Sequence, residues 1–294
     1  MLTEFSIENL LFTDFETQTY VDMKKLIPLF ILIALNQVLF SQISTILPHP
    51  VSIANTSVAD SKNWTAFCNP AMLGSLENSE IGMQYENRYL ISELSNKTIQ
   101  AAFSNKLLNG GLSFSHFGYS LYHEMVVGLG FARNFSDKFA MGLQFNYYTT
   151  YFNASNSYHG AFLPQLGLSV KLNSGFSVGF QSFNPFQTNI RTELGTKRLP
   201  SIFSLGTEYF FSSELIWRTQ IDKEVSSNYR FATGFEYQML QAMNIKLGAY
   251  ASDYLVPCLG VGFGSGQLKF DLNCELHPLL GLNTMAFVKY RFRH

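Results

Sequence analysis

Charge is what this chain has least of. Charged side chains make up 14% of its 294 residues, against roughly a quarter in an average soluble domain. A soluble chain of this length buries a core and surrounds it with charge, so the deficit argues against a soluble β-sandwich and for an outer surface that does not face water. A basic excess is missing as well: the net charge is −1, which removes the electrostatic case for nucleic acid. Cysteine is scarce. Cys68, Cys258 and Cys274 show neither metal spacing nor an even disulfide framework, and the last two fall inside strand-like runs, where they read as small wall residues. The apolar run from Leu26 to Leu35 is too short for a spanning helix, which needs about 20 residues.

What is present is aromatic and alternating. The chain has 28 Phe and 15 Tyr, and residues 126 to 152 show how they are spaced. In the second half of this stretch Phe139, Met141, Leu143, Phe145, Tyr147, Thr149 and Tyr151 alternate with Ala140, Gly142, Gln144, Asn146, Tyr148 and Thr150. Side chains two apart share a face of a strand, so one face is large and apolar and the other small or polar. In the first half Val127, Leu129 and Phe131 oppose Val126, Gly128, Gly130 and Ala132, and Asn134-Phe135-Ser136-Asp137 supplies a hairpin turn.

The ends of the chain differ from its body. Residues 1–22 are polar and mixed in charge and read as an upstream misreading of the gene, with Met23 as the true start. Met23-Lys24-Lys25, the apolar run and a polar exit through Gln42 then have the parts of a secretory signal peptide. An uncleaved anchor behind a cytoplasmic extension is the alternative. Residues 43–78 are irregular, with Pro48, Pro50, Asn69 and Pro70, and read as a periplasmic leader or an inward-folded plug packed through Trp64, Phe67 and Met72. Residues 79–294 form one alternating series, with strands expected near 79–90, 98–106, 110–118, 122–134, 138–152, 160–172, 175–186, 200–211, 214–223, 228–239, 242–251, 254–264, 267–276 and 281–292. Pro164 and Pro257 would each remove a ladder donor, which favours later starts for those two strands. Short links at Asn109-Gly110, Asn134 to Asp137, Asn173 to Gly175, Ser212-Ser213 and Gly264 to Gly266 alternate with mostly longer ones, among them Ile91 to Lys97, Asn153 to His159, Gln187 to Arg198 and Lys223 to Asn228. Outer-membrane barrels are built in this way, with short periplasmic turns and longer external loops.

Charges obey the same alternation. Arg218 and Asp222 oppose Trp217 and Ile221; Arg230 and Glu236 oppose Phe231 and Phe235; Lys269, Asp271 and Glu275 oppose Leu268, Phe270 and Cys274; Lys289 and Arg291 oppose Val288, Tyr290 and Phe292. These nine are the expected lumenal charges, since a Lys or Arg on the lipid face at mid-bilayer would cost about 2–4 kcal/mol. Glycines on the same face, including Gly128, Gly130, Gly142, Gly234, Gly260 and Gly262, leave room for a plug or a narrow passage. The fold expected is therefore all-β, a transmembrane antiparallel barrel of about 14 strands with an N-terminal plug-like segment, integral to the bacterial outer membrane and in contact with its lipid.

A signal sequence, an irregular segment carrying Asn69-Pro70-Ala71 and about fourteen strands ending in Tyr290-Arg291-Phe292 together resemble the outer-membrane barrels that include the long-chain fatty acid transporter and the PorV and PorQ proteins of the Bacteroidetes type IX secretion system. The resemblance implies that the segment before the first strand folds into the barrel, with Asn69, Pro70 and Ala71 at the hatch. It implies transport of a hydrophobic small molecule, or work with a secretion system and its secreted proteins. A non-conducting scaffold or shuttle is the alternative. No cofactor is implied and no enzyme is expected: His116, His123, His159 and His277 form no constellation with a nucleophile that stands apart from the rest. His116, His123 and Glu124 flank one external hairpin and are the one candidate metal set, with solvated loop residues as the ordinary reading.

Overall fold

The computed structural model describes residues 47–50, 53–153, 156–192 and 195–292; the expected extension, signal peptide and residues 43–46 lie outside the described residues. The strands are β1 (Glu80–Asn87), β2 (Ser95–Phe103), β3 (Asn109–Tyr119), β4 (Tyr122–Ser136), β5 (Phe139–Phe152), β6 (Ser157–Lys171), β7 (Phe176–Phe183), β8 (Asn189–Thr192), β9 (Gly195–Arg198), β10 (Ile202–Phe210), β11 (Leu215–Glu224), β12 (Tyr229–Leu240), β13 (Met243–Ala251), β14 (Leu255–Ser265), β15 (Leu268–His277) and β16 (Gly281–Arg291). All but β8 and β9 join antiparallel neighbours in one closed fourteen-stranded barrel, while β8 and β9 pair with each other as a separate hairpin. Closure runs from Glu80 opposite Arg291 to Asn87 opposite Thr284. A closed ring leaves no unpaired edge, the condition for a sheet in hydrocarbon.

Alternation decides which way each side chain points. Leu112, Leu129, Leu143, Phe145, Phe231 and Leu259 are exposed on the outer wall, whereas Gln144, Asn146, Arg218 and Glu236 are buried within. Exposed aromatics gather towards the two rims, Tyr119, Tyr158 and Tyr229 at one and Phe135, Phe211, Tyr290 and Phe292 at the other, as in the girdles of membrane barrels. The chain enters β1 and leaves β16 at the second rim, the periplasmic one by the logic of short turns.

Several links differ from the sequence reading. Asn109 belongs to β3, not to a turn, because its amide faces inward and donates to Leu73 O at 2.7 Å and Leu76 O at 3.1 Å. A register shift between Asn134 and Ser136 carries β4 onward, so the turn falls on Asp137 and Lys138. The β14–β15 turn sits on Gly266 and Gln267, where Gly266 takes φ +62°. The two prolines do not delay their strands. β6 starts at Ser157, and Pro164 lies where the ladder to β7 has ended, that ladder beginning at Gln165; Asn184 N donates to Pro164 O at 2.9 Å. Pro257 is likewise opposite Ala249 on β13, one residue before the β15 ladder starts at Cys258. The external links are mostly short, residues 120–121 joining β3 to β4. Among the described residues, the long one is 184–201, which carries the β8–β9 hairpin.

Residues 53–78 run through the lumen. A 3-10 turn, Pro70–Ser75, is capped by Asn69, whose Oδ1 accepts from Ala71 N at 3.0 Å. This turn lies against β4, β5 and β6. Wall glycines make the approach possible: a Cβ on Gly142 would overlap the Pro70 carbonyl, and one on Gly111 would stand 2.9 Å from the Leu73 side chain. Trp64, Ala71, Met72 and Leu73 form one apolar cluster with Ala102, Ala132 and Ala140 of the wall.

Leu129 lies at the middle of β4 on the outer face. Leu129→Lys should destabilise the folded barrel by about 2–4 kcal/mol, measured as a shift in urea unfolding in lipid bilayers.

Candidate functional site

The lumen is held by ion pairs that begin with Arg218. Its strand β11 alternates Trp217, Thr219 and Ile221 outward with Arg218, Gln220 and Asp222 inward. The register sets Glu208 of β10 opposite Arg218 and Glu236 of β12 opposite Ile216, with Gly234 facing Arg218 itself. Arg218 Nε reaches Glu208 at 2.7 Å, one terminal nitrogen reaches Glu236 at 3.1 Å and the other reaches Asp60 of the inner segment at 3.0 Å. A planar guanidinium with five donors can serve such a triangle, where an ammonium could not hold the same directions. Ser61 adds bonds from its hydroxyl and backbone to Glu208.

The remaining expected charges fall along the same wall. Asp222 pairs with Arg230, whose guanidinium also donates to Ala54 O at 2.7 Å and lies 4.6 Å from the Tyr250 ring centroid. Glu275 accepts from Asn55 Nδ2 at 2.9 Å and Tyr250 OH at 3.2 Å, with His49 Nδ1 3.5 Å away. Asp271 holds Lys246 at 2.7 Å and Lys269 at 3.5 Å. Lys289 bridges Glu80, at 3.2 Å, and Asn63 of the inner segment, at 3.0 Å. Arg291 differs from the others: its side chain is 47% exposed at the periplasmic rim and reaches Glu80 at 3.6 Å. Asn69 donates to Val58 O at 2.7 Å and Leu168 O at 2.9 Å, and the adjoining Pro70 and Ala71 press on Gly142 and Gly167.

Glu80, Glu86, Arg88, Glu208 and Lys246 belong to this network but were not among the charges expected to matter. Glu80, Glu86, Glu208 and Lys246 each occupy an inward position of a strand, as Glu86 does beside Tyr85, so the same reading applied to β1, β10 and β13 would have found them, while Arg88 lies in the 3-10 turn Arg88–Leu90 that follows β1. Arg88 Nε holds Glu86 at 2.8 Å, and His49 Nδ1 lies 3.1 Å from the same carboxylate. The candidate metal set is brought together only in part: His116 and His123 stack on the outer face, while Glu124 turns inward. Adjacent residues of a strand point to opposite faces, and no metal-holding cluster occurs among the described residues.

The external mouth is half covered. Ile190 and Leu199 of the long loop join Ala66 and Phe67 of the inner segment and Val126, Tyr148, Leu163, Phe183 and Ile202 of the wall in one apolar cluster. Lys197 of β9 reaches down to Glu124 at 2.6 Å, Tyr148 OH at 2.7 Å and Tyr122 OH at 2.8 Å. On the uncovered side a cavity of about 150 Å³ has a floor of Asn55, Ser57, Phe67 and Cys68, walls that include Ile202, Asp222, Arg230 and Val256, and a rim of Tyr89, Asp253, Tyr254 and His277. A second cavity, of about 560 Å³, opens to the periplasmic end between Ser61 to Asn63, Ser75 to Asn78 and the walls at Glu236, Asn244 and Lys289. At the external rim both Asp253 carboxylate oxygens are buried without a hydrogen-bond partner among the described residues. Burial pushes this carboxyl pKa up, the neighbouring Asn228 amide opposing it.

Barrels of this outline are known. The chain is similar to the Pseudomonas putida toluene transporter TodX, over 86% of this chain and 98% of that one, at 9% identity and TM-score 0.61. It is similar to the CymD monoaromatic hydrocarbon channel over 84% and 100%, at 10% identity and TM-score 0.61. A Pseudomonas aeruginosa FadL homologue matches over 84% and 99%, at 12% identity and TM-score 0.61. Likeness at such identities establishes the fold alone. No protein-family model matches the chain, and no curated protein matches it. The class is defined all the same: the chain is an integral β-barrel of the bacterial outer membrane.

Removing Arg218 leaves buried carboxylates without their cation, so Arg218→Met should cost about 3–5 kcal/mol, read as a lower urea midpoint of the folded band. Asp253 has the opposite sign. A carboxyl whose folded-state pKa is raised contributes stability that is full below its unfolded value and lost as pH rises through the folded one. Asp253→Asn should raise the heat-modifiability midpoint at neutral pH and leave it unchanged in acid below the unfolded pKa.

Proposed function

We propose that this barrel is a gated passage for small hydrophobic solutes, with the inner segment as its plug. The observation that carries the reading is the placement of two cavities on either side of one tether. Asp222, four residues beyond Arg218 on β11, lines the external cavity, and Glu236, a partner of Arg218, lines the periplasmic one. A solute entering from outside meets Ile202, Val256 and the rings of Tyr250 and Tyr254 before it reaches the inner segment at Phe67 and Cys68. A space of about 150 Å³ holds one benzene ring, so by volume the external cavity, open at its rim and walled in part by Asp222 and Arg230, suits a molecule of one aromatic ring better than a long chain. The toluene and monoaromatic hydrocarbon chemistry of TodX and CymD agrees with that size.

A second reading is a permanently closed barrel that binds other proteins, in the manner of PorV and PorQ in type IX secretion. It is favoured by the number of tethers on the inner segment, including Asp60 to Arg218, Asn55 to Glu275, Asn63 to Lys289 and Asn69 to Leu168. Passage separates the two. The intact chain in planar bilayers should be nearly silent, the chain without residues 43–77 should conduct, and intact protein in liposomes should speed the entry of toluene. Steady conductance in the intact chain would defeat the plug. Silence with no toluene entry would favour the closed scaffold.

A further inference from the structure

Three basic side chains lie together on the outer wall, away from the lumen. Lys97 of β2 is directly opposite His116 of β3. His123 of β4 is opposite Gly118 and therefore diagonal to His116. The two imidazoles stack at 5.4 Å with planes 22° apart, and His123 stacks on Tyr151 at 4.8 Å. All three alternate with inward residues, Thr98, Ser115 and Glu124, that are buried. They sit at the external ends of their strands, Lys97 two residues after Ser95, His116 three before Tyr119, and His123 next to Tyr122.

This arrangement opposes its own stability. Basic groups directly across a strand pair disfavour each other's charged forms, and Lys97 stands directly opposite His116 with His123 stacked on that ring. The strands that carry them offer no relief from the same face. The acids of β1 to β4 are Glu80, Glu86 and Glu124, and each turns inward, to Lys289, Arg88 and Lys197 respectively. At the rim of a barrel, however, a lipid-facing cation costs only about 0–1 kcal/mol, and the leaflet there presents headgroups. A phosphate lying against the wall would accept a charge-assisted hydrogen bond from the Lys97 ammonium and ordinary hydrogen bonds from the N–H groups of the two imidazole rings. Exposed Tyr158 and Phe162 would receive the apolar part of the same molecule.

We propose that Lys97, His116 and His123 form a docking site for the phosphate headgroup of an outer-leaflet lipid. The site is independent of what passes through the lumen, and a lipid held there would brace β2, β3 and β4 from outside while their inner faces hold the inner segment and the Lys197 contact.

The test uses the full chain refolded in phosphatidylcholine vesicles with bis-phosphorylated lipid A, with dephosphorylated lipid A, or with inorganic phosphate alone. Bis-phosphorylated lipid A should raise the heat-modifiability midpoint, and the other two should not. Native mass spectrometry should show lipid A retained about tenfold less by the Lys97→Gln, His116→Gln, His123→Gln variant, the loss expected from one charge-assisted hydrogen bond; Lys138→Gln, at the periplasmic turn, should retain it fully. Equal retention by the triple variant, an equal shift with dephosphorylated lipid, or a shift with free phosphate would overturn the proposal. Photoreactive lipid A on the wild-type chain settles the case in which the variant does not fold: adducts on β2 to β4 are expected, and adducts spread evenly around the rim would refute the site.

Discussion

Hydrocarbon offers the backbone no water, and the rest of this molecule follows from that. Every amide of a spanning segment must be paired within the protein, because each one left unpaired costs several kcal/mol. Closing β1 onto β16 meets the demand. Closure then divides the side chains into two environments that meet nowhere along a strand. Leu129 and Phe145 go to lipid while Gly130, Gln144 and Asn146 go inside. The scarcity of charge follows from the first environment, and the concentration of what charge there is follows from the second.

The second environment sets its own constraint. A lumen lined by Arg218, Glu208, Glu236, Asp271 and Glu275 cannot remain dry unless each charge finds a partner, since an unpaired buried ion is far costlier than an unpaired amide. The wall supplies some partners itself, as in Lys246 with Asp271. Others come from the inner segment: Asp60 completes Arg218, Asn55 completes Glu275 and Asn63 completes Lys289. The inner segment is itself irregular, and an irregular backbone carries carbonyls that no ladder satisfies. Ala54 O is taken by Arg230 and Leu73 O by Asn109, both of the wall, while Val58 O is taken by Asn69 of the segment itself. Wall and segment each satisfy polar groups of the other, and glycines such as Gly142 bring the two backbones close enough to do so.

The alternation that exposes this fold is legible because lipid enforces it. A one-residue slip would send Arg218 or Lys289 into hydrocarbon, so the period of two is kept strictly in the strands, and the fourteen alternating runs of the sequence overlap the fourteen strands of the barrel. Its exact limits were less legible. The bulge at Asn134 and Ser136 and the inward pull on Asn109 come from contacts with neighbours and with the inner segment, which local pattern does not carry. Prolines were misleading for a related reason: the cost of a missing donor depends on whether a neighbouring strand is there to need it, and beside Pro164 the β7 ladder has already ended. The β8–β9 hairpin, two strands of four residues inside a polar loop, left too short a pattern to read. The lumenal charges could be placed on a face from sequence, but their partners could not. Asp60 and Arg218 are separated by 158 residues, and nothing in the composition around Asp60 distinguishes it from a loop acid.

Polar tethering has a consequence for movement that apolar packing would not have. A buried ion pair contributes little net stability, because what it gains by attraction it has lost in desolvation, and water admitted to the lumen can replace either partner at small cost. An inner segment held by Leu and Phe would have to expose apolar surface on leaving its seat, at about 25 cal/mol for each Å². This segment combines the two kinds of contact in unequal shares along its length. Trp64, Ala71, Met72 and Leu73 anchor its second half in an apolar cluster against small wall residues, while the first half combines the polar bonds of Asn55, Asp60 and Asn63 with a smaller apolar cluster of Ile53 and Ala54 against Val256 and Cys258. Release of the first half therefore exposes the smaller of the two apolar clusters. If the segment shifts to admit a solute, the physical chemistry favours movement of residues 53–63 about a seat at Asn69 to Leu73, with β4 and β5 staying fixed.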